Sequence, residues 1–405
     1  MKRLRFLLPG YVVAIIMILI APLVQALEVD REVSPRLTLG GRLIATPFYA
    51  TTKGAPGIRD GNQSQVDISD SGLLFRFDKR IYNNKAVAGA IVGFTKPDQD
   101  DDLKDDVYFH HLYGFLQSQR FQVVLGRTRL RNTLLEFPTL RDDDLIDYTH
   151  VPNASSYANN DQYQIFGTQM AFDWYLDNRN NAISVWLSGR METDLAGKPL
   201  QEFNLNTFGF GWNYQVSEDM QYVKRLRQAG VYLETQKIDV NTGDNSMNAI
   251  IAGAEWNLNL NPPKSWSVAL QAIYNEGIDG ATIATHIGRA RSKYRAVTMA
   301  LRYTSRPKLL TRSQAAITFG YKDFSEFSNA SQYSIAPSYV YRLGQGIDLV
   351  TQYIYTKRDS ALAVATGTER EHVLQAGIVF SFDKRFDDNI GKRDSILNIE
   401  HGYIR

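Results

Sequence analysis

The chain has 405 residues and a formal net charge of +2, from 45 basic and 43 acidic residues. This near balance argues against a nucleic-acid partner, which would need a basic surface. Cysteine is absent, so disulfide scaffolds, thiolate metal sites and cysteine nucleophiles are excluded.

Residues 1–26 have the form of a cleaved export signal. Lys2, Arg3 and Arg5 make a basic end, an uninterrupted apolar run covers 11–20, and small residues around Ala26 suit a cleavage site. A membrane anchor is the alternative interpretation. However, the wider apolar segment 7–23 contains Pro9 and Pro22 and is shorter than the ~20 residues that a spanning helix needs. No comparable apolar run occurs downstream.

From residue 36 onward, apolar and polar residues alternate in segments long enough for a tilted membrane strand of ~9–11 residues. The pattern predicts an all-β fold, a transmembrane antiparallel β-barrel of about 16 strands within 27–382. A polar C-terminal extension, 383–405, follows. The predicted strands are 36–50, 65–79, 86–96, 105–117, 121–130, 162–175, 181–192, 202–216, 228–238, 247–259, 265–276, 293–305, 312–323, 331–343, 346–358 and 370–382.

The two faces of each predicted strand differ in chemistry. In the strand over 202–216, the even positions from Phe208 to Tyr214 are aromatic, whereas the odd positions are small or polar. Alternation alone also fits a soluble β-sandwich. The aromatic ends of many long apolar stripes favour lipid outside and water inside, because amphipathic rings prefer the membrane interface.

The predicted connections fall into two classes that suit the two rims of such a barrel. Short, turn-like links such as 119–120 and 344–345 alternate with longer ones such as 97–104 and 277–292. The segment 131–161 is too long for an ordinary connection and is therefore a candidate for function.

A family resemblance rests on residues 70–148. Asp70–Arg80 (DSGLLFRFDKR) and Ala86–Phe94 (AVAGAIVGF) are followed by His111–Arg127 (HLYGFLQSQRFQVVLGR) and Leu130–Leu145 (LRNTLLEFPTLRDDDL). In this order the segments resemble the general, non-specific porins of Gram-negative outer membranes. Gln375–Phe382 (QAGIVFSF) is similar to the aromatic-ended signal that the barrel-assembly machinery recognises. The extension after Phe382 departs from the family pattern and is assigned to the periplasm; the alternative is that the strand count is off by one hairpin.

The resemblance implies a long third loop folded into the lumen, so that loop carboxylates face arginines on the wall. The field between them would orient dipolar solutes and set ion preference. The predicted acidic group lies on the loop, and the predicted basic group lies on the wall. The acidic group is Glu136, Asp142, Asp143, Asp144 and Asp147, and the basic group is Arg42, Arg76, Arg127, Arg129, Arg190 and Arg302.

Most of these arginines are placed by alternation, and Arg76 also by the resemblance. An arginine facing lipid near mid-membrane would cost ~2–4 kcal/mol. The alternative is that some, such as Arg190 and Arg342, lie at strand ends and snorkel. For Arg127 the two arguments disagree, because alternation points it outward; a bulge at Gly126 would turn it, and Arg129, inward. The acidic loop could equally be a solvated segment at the rim.

No cofactor, metal site or catalytic residue is predicted. The six histidines lack metal-ligand spacing, and the acidic run 98–106 lacks the spacing of a calcium-binding loop. An outer-membrane phospholipase is a minor alternative that needs a Ser/His pair on the lipid-facing wall. His111 and His372 have the outward parity, but no serine partner can be named.

The sequence therefore predicts a non-enzymatic outer-membrane porin that passes small hydrophilic solutes and ions by passive diffusion. A substrate-selective porin for anions, phosphate or carboxylates is the alternative. The resemblance implies a homotrimer, and the location implies contact with outer-membrane lipid, lipopolysaccharide and the barrel-assembly machinery.

Overall fold

The computed structural model describes most of the chain from residue 36 to residue 386. The described ranges are 36–67, 71–81, 85–95, 108–129, 134–135, 166–177, 180–189, 192–193, 199–201, 205, 207–216, 222–240, 243–261, 263–276, 293–306, 312–344 and 346–386.

The described residues form one closed antiparallel sheet of sixteen consecutive strands, in which β1 pairs with both β16 and β2. The second strand has two segments that follow each other along β1. The strands are β1 (Arg36–Gly54), β2 (Gly61–Asp67 and Gly72–Ile81), β3 (Ala86–Thr95), β4 (Tyr108–Ser118), β5 (Phe121–Arg129), β6 (Phe166–Asp177), β7 (Asn181–Gly189), β8 (Thr207–Gln215), β9 (Leu226–Val240), β10 (Gly243–Asn257), β11 (Lys264–Asn275), β12 (Tyr294–Ser305), β13 (Ser313–Asp323), β14 (Ser331–Gly344), β15 (Ile347–Arg358) and β16 (Thr368–Phe386). A separate two-stranded pair, Glu192–Thr193 with Pro199–Gln201, lies in the connection between β7 and β8.

Every predicted strand coincides with one observed strand, so the predicted barrel and its strand number are confirmed. The strand ends differ by up to five residues, and three strands illustrate the difference. The hairpin of β9 and β10 extends further toward its connection than predicted, because backbone pairing continues as far as Val240 with Gly243. Likewise β16 continues past Phe382 to Phe386, whose partner is Leu37.

Both ends of the closed sheet, Arg36 and Phe386, lie at the rim that carries the short turns, such as the one between β4 and β5. The opposite rim carries the link between β15 and β16, with helix α1 (Ser360–Thr366). Gly367 ends α1 in the left-handed conformation, at φ 73°. Among the described residues, no helix has the length and apolar character needed to cross a membrane.

The outer face of the barrel is apolar, and the inner face mixes polar side chains with buried apolar ones. In β8, Phe210 and Trp212 are exposed, whereas Gly209, Gly211 and Asn213 are buried and face inward. The inward faces elsewhere are rich in buried amides and hydroxyls such as Gln271 and Thr318. This distribution confirms the predicted faces and is the reverse of a soluble sandwich, whose apolar faces meet in a shared core.

Candidate channel lining

Among the described residues of the inner wall, two clusters of charged side chains lie near the rim with the short turns. The first joins β1 and β2, where Arg36 and Arg76 both pair with the buried carboxylate of Asp78. Arg76 Nε lies 2.7 Å from Asp78 Oδ2, and its guanidinium stacks 4.9 Å from the ring centre of Phe115. Arg76 therefore faces the lumen side but is held by a neighbour on its own strand.

The second cluster is centred on Glu255 of β10. Glu255 Oε1 accepts hydrogen bonds from Arg227 Nη1 of β9 at 2.6 Å and from Ser267 Oγ of β11 at 2.8 Å. Arg302 of β12 places its Nη1 3.5 Å from the same oxygen. Strands β9 to β12 are consecutive neighbours in the sheet. Their inward positions at one height therefore bring the four side chains together.

A third arginine and a tyrosine border the Glu255 cluster. Tyr222, in the turn before β9, is buried, with the guanidinium of Arg306 3.8 Å and that of Arg227 5.3 Å from its ring centre. Stacking on a ring face is favourable for guanidinium groups. Two arginines thus lie at the Glu255 carboxylate, and Arg306 shares the ring of Tyr222 with Arg227. We refer to Arg227, Arg302, Arg306 and Glu255 as the basic cluster.

Two residues of the long connection between β5 and β6 are described, and they lie inside the barrel. Leu134 and Leu135 are almost fully buried. The Leu135 amide donates to Gln271 Oε1 of β11 at 3.1 Å, and the Leu134 carbonyl accepts from the Gln228 side chain of β9. These two residues therefore lie in the lumen and contact the wall formed by β9 to β11. The rest of the predicted loop fold lies outside the described residues.

Three of the predicted basic residues have the inward parity of their strands. Arg42 is half-buried on the inward positions of β1, and Arg76 and Arg302 belong to the clusters described above. The predicted acidic group, Arg190 and the acidic run 98–106 lie outside the described residues. Arg129 belongs to β5, and its side chain is also outside the description.

Arg127 lies opposite Leu112 and Thr168 in the register of β5 with its neighbours. Leu112 is exposed on the outer face, and directly paired residues share a face. The register is continuous through Gly126, although this glycine has a φ of 129°, so the bulge that would turn Arg127 inward is not present. This register gives Arg127 the parity of the outer face, against its assignment to the pore.

His111 corrects the phospholipase interpretation. It is fully buried on the inward face, where its Nδ1 lies 3.0 Å from Thr128 Oγ1, so its predicted outward parity is wrong. Both faces of β4 carry large side chains, and the rings of Tyr113 and Phe115 point inward. His372 does face outward, and its Nδ1 lies 2.7 Å from the Tyr353 hydroxyl.

Sequence reasoning missed Asp78, Arg227 and Glu255. The same parity rule that selected arginines would have found Asp78 and Glu255 if it had been applied to carboxylates. Arg227 could not be found in this way, because the register shifts between Leu226 and Gln228 and breaks the alternation at that point.

Comparison with solved structures places the fold among porin barrels. The Salmonella typhi OmpF complex with daunomycin matches with a TM-score of 0.58 at 11% identity, over 85% of this chain and 97% of that chain. An anion-selective porin from Comamonas acidovorans matches with a TM-score of 0.57 at 15% identity, over 86% and 100%. OmpT of Vibrio cholerae, in its trimer form, matches with a TM-score of 0.53 at 8% identity, over 86% and 100%.

These likenesses concern the fold, since the sequence identities are low. No protein-family model matches the sequence. No curated protein matches it either.

Proposed function

We propose that the chain is an outer-membrane porin, through which small hydrophilic solutes and ions diffuse passively. The single observation that carries the proposal is the closed barrel with an apolar exterior and an inner wall on which polar and charged side chains lie among buried apolar ones. Only closed barrels and helices satisfy all backbone hydrogen bonds within a bilayer. The fold shared with porins of known structure supports the same function.

The charged clusters supply fixed charges along the solute path. A solute that enters from the rim with the short turns would meet Arg36, Arg76 and Asp78 on one wall and the basic cluster on another. Fixed charges in a narrow, low-dielectric passage focus the field and bias which ions enter. The segment around Leu135 reduces the free cross-section at the wall it contacts. Transport in this proposal needs no cofactor and no chemical step.

Planar-bilayer recording tests the proposal directly. Purified protein, added to a solvent-free bilayer, should give stepwise increases of conductance that scale with salt concentration. Control membranes without protein should give none. The proposal fails if the folded protein inserts without conductance, or if it stays monodisperse in buffer free of detergent.

An anion-selective channel is the second candidate function, and one observation favours it. Both described clusters hold more arginines than carboxylates, with two arginines at Asp78 and two at Glu255. An excess of fixed positive charge in the lumen enriches anions. The reversal potential in a salt gradient separates the two candidates, because a general porin gives a value near zero and an anion channel does not.

The assembly and its partners follow from the proposed location. We expect a homotrimer, as in the trimer form of OmpT from Vibrio cholerae. Export by a signal in residues 1–26, insertion by the barrel-assembly machinery and contact with lipopolysaccharide belong to the same proposal. Crosslinking of the detergent-solubilised protein should give a single trimer band.

A further inference from the structure

Three cations stand side by side on the outer face, at the rim opposite the short turns. Lys53 of β1 is directly paired with Arg370 of β16, and Arg370 is directly paired with Lys357 of β15. All three have the outward parity of their strands, as do the exposed Tyr49, Tyr353 and Leu374 below them. We call Lys53, Arg370 and Lys357 the cationic row.

Like charges directly opposite each other on adjacent strands are destabilising unless an anion lies between them. Glu369 forms ion pairs with two of the three cations. Its Oε2 lies 2.8 Å from Lys53 Nζ, and its Oε1 lies 3.2 Å from Arg370 Nε. Lys357 instead places its Nζ 6.0 Å from the ring centre of Tyr333. The row therefore keeps an excess of two positive charges on the outside of the barrel.

The level of the row along the strands is set by the residues next to it. The adjacent outward row holds Tyr355 and His372, whose ring centres are 4.9 Å apart, and the row below holds Tyr353 and Leu374. Tyrosines with apolar neighbours are typical of the membrane–water interface. The cationic row lies just beyond this aromatic girdle and therefore at the level of lipid headgroups.

We infer that the cationic row binds the phosphate groups of an outer-leaflet glycolipid, of the lipid A type. Phosphate groups are the anions present at this level, and lysine and arginine side chains are their usual partners. Outward-facing side chains on three adjacent strands can reach one headgroup together. The inference rests on the proposed outer-membrane location and adds a specific lipid site to it.

The test is a titration of the refolded full-length protein in micelles with lipid A, and in parallel with its dephosphorylated form. The readout is the thermal unfolding midpoint as a function of lipid concentration. We expect phosphorylated lipid A to raise the midpoint and the dephosphorylated lipid to have little effect. Each removed cation should lower the apparent affinity by about fivefold, from the ~1 kcal/mol that a cation contributes near an anionic surface.

The variants are Lys357→Gln alone and the triple Lys53→Gln, Lys357→Gln, Arg370→Gln. Lys264→Gln is the matched control, because Lys264 is exposed and outward-facing at the opposite rim. If the triple variant fails to fold, Lys357→Gln alone decides the result. An equal response to both lipids, an unchanged affinity in Lys357→Gln, or an equal loss in Lys264→Gln would overturn the inference.

Conductance of the same preparations keeps this result separate from the proposed function. Variants that conduct normally but lose the response to lipid A support the lipid site. A wild-type protein that conducts and shows no preference for the phosphorylated lipid refutes the lipid site alone. A protein that does not conduct refutes the proposed function.

Discussion

Trp186 of β7 donates its indole N–H to Glu234 Oε1 of β9 at 2.9 Å, across the intervening strand β8. The contact passes over Gly209, which is directly paired with both residues. Tyr232 crosses Gly211 in the same way, and its ring meets Trp186 edge-on at 5.5 Å. The two glycines of β8 therefore leave room for a ring and a carboxylate that link three strands on the inner wall.

The absence of a Cβ at Gly209 is predicted to be essential for this link. A Cβ there would lie 1.9 Å from Trp186 Cε2, so Gly209→Ala must displace the indole. Overpacking of this kind costs ~1–3 kcal/mol. We expect a lower midpoint of unfolding in denaturant, measured by tryptophan fluorescence in micelles.

Gly114→Ala is the matched control, because the nearest atom to a Cβ at Gly114 is 3.8 Å away. It should leave the midpoint within experimental error. Equal midpoints for the two variants would show that Trp186 moves aside without cost.

The apolar exterior predicts that a charged side chain placed on the outer face at mid-strand destabilises the barrel. Ile317 lies near the middle of β13 with 54% of its side chain exposed on the outer face. In a bilayer, Ile317→Arg should destabilise the barrel by ~2–4 kcal/mol. Reversible unfolding from lipid vesicles measures this loss.

Ile58→Arg supplies the control, because Ile58 is 50% exposed in the turn between β1 and β2. On a barrel surrounded by water, both substitutions would be neutral. An Ile317→Arg variant with unchanged stability would therefore contradict a lipid-facing outer wall.

The strands could be predicted because alternation with period two persists wherever one face meets lipid and the other does not. It fails where both faces carry large side chains, as in β4, where Tyr113 points inward and Leu112 outward. It also fails at Arg227, where a register shift resets the parity. The pairing of Arg227 with Glu255 and Ser267 depends on the heights of three strands, and hydropathy contains no such information.

The position of Glu255 among arginines predicts that its neutralisation changes the ion selectivity of the channel. Glu255→Gln removes one negative charge from the basic cluster and leaves Arg227, Arg302 and Arg306 in place. A unit charge a few ångströms from the ion path is worth about 1 kcal/mol in a water-like dielectric, or about fivefold in local ion concentration. We expect the reversal potential in a KCl gradient to shift toward anion preference.

Glu326→Gln makes the same charge change on an exposed turn between β13 and β14 and should leave the reversal potential unchanged. A shift of equal size in both variants would mean that overall charge, rather than the basic cluster, sets the preference. Unfolding of the Glu255→Gln variant is monitored in parallel, because removal of one partner from a buried ion pair can cost ~3–5 kcal/mol.

The contact of Leu135 with the wall formed by β10 and β11 predicts a change in channel conductance when the contact is removed. Leu135 is buried against β10, where its Cδ1 would lie 3.0 Å from a Cβ at Gly253, and its amide bonds to Gln271. Leu135→Ser removes the apolar contact. Truncation of a buried leucine typically lowers the free energy of unfolding by ~2–5 kcal/mol. A segment released from the wall should fluctuate in the lumen, so we expect noisier open levels and a changed mean single-channel conductance.

Leu205→Ser is the control, because Leu205 is exposed and 42% accessible. Gln271→Ala removes the hydrogen bond from the wall side and should give the same phenotype as Leu135→Ser, since both changes weaken one attachment. If the two variants conduct like the wild type while the barrel stays folded, the segment around Leu135 does not restrict the ion path, and selectivity must arise from the wall clusters alone.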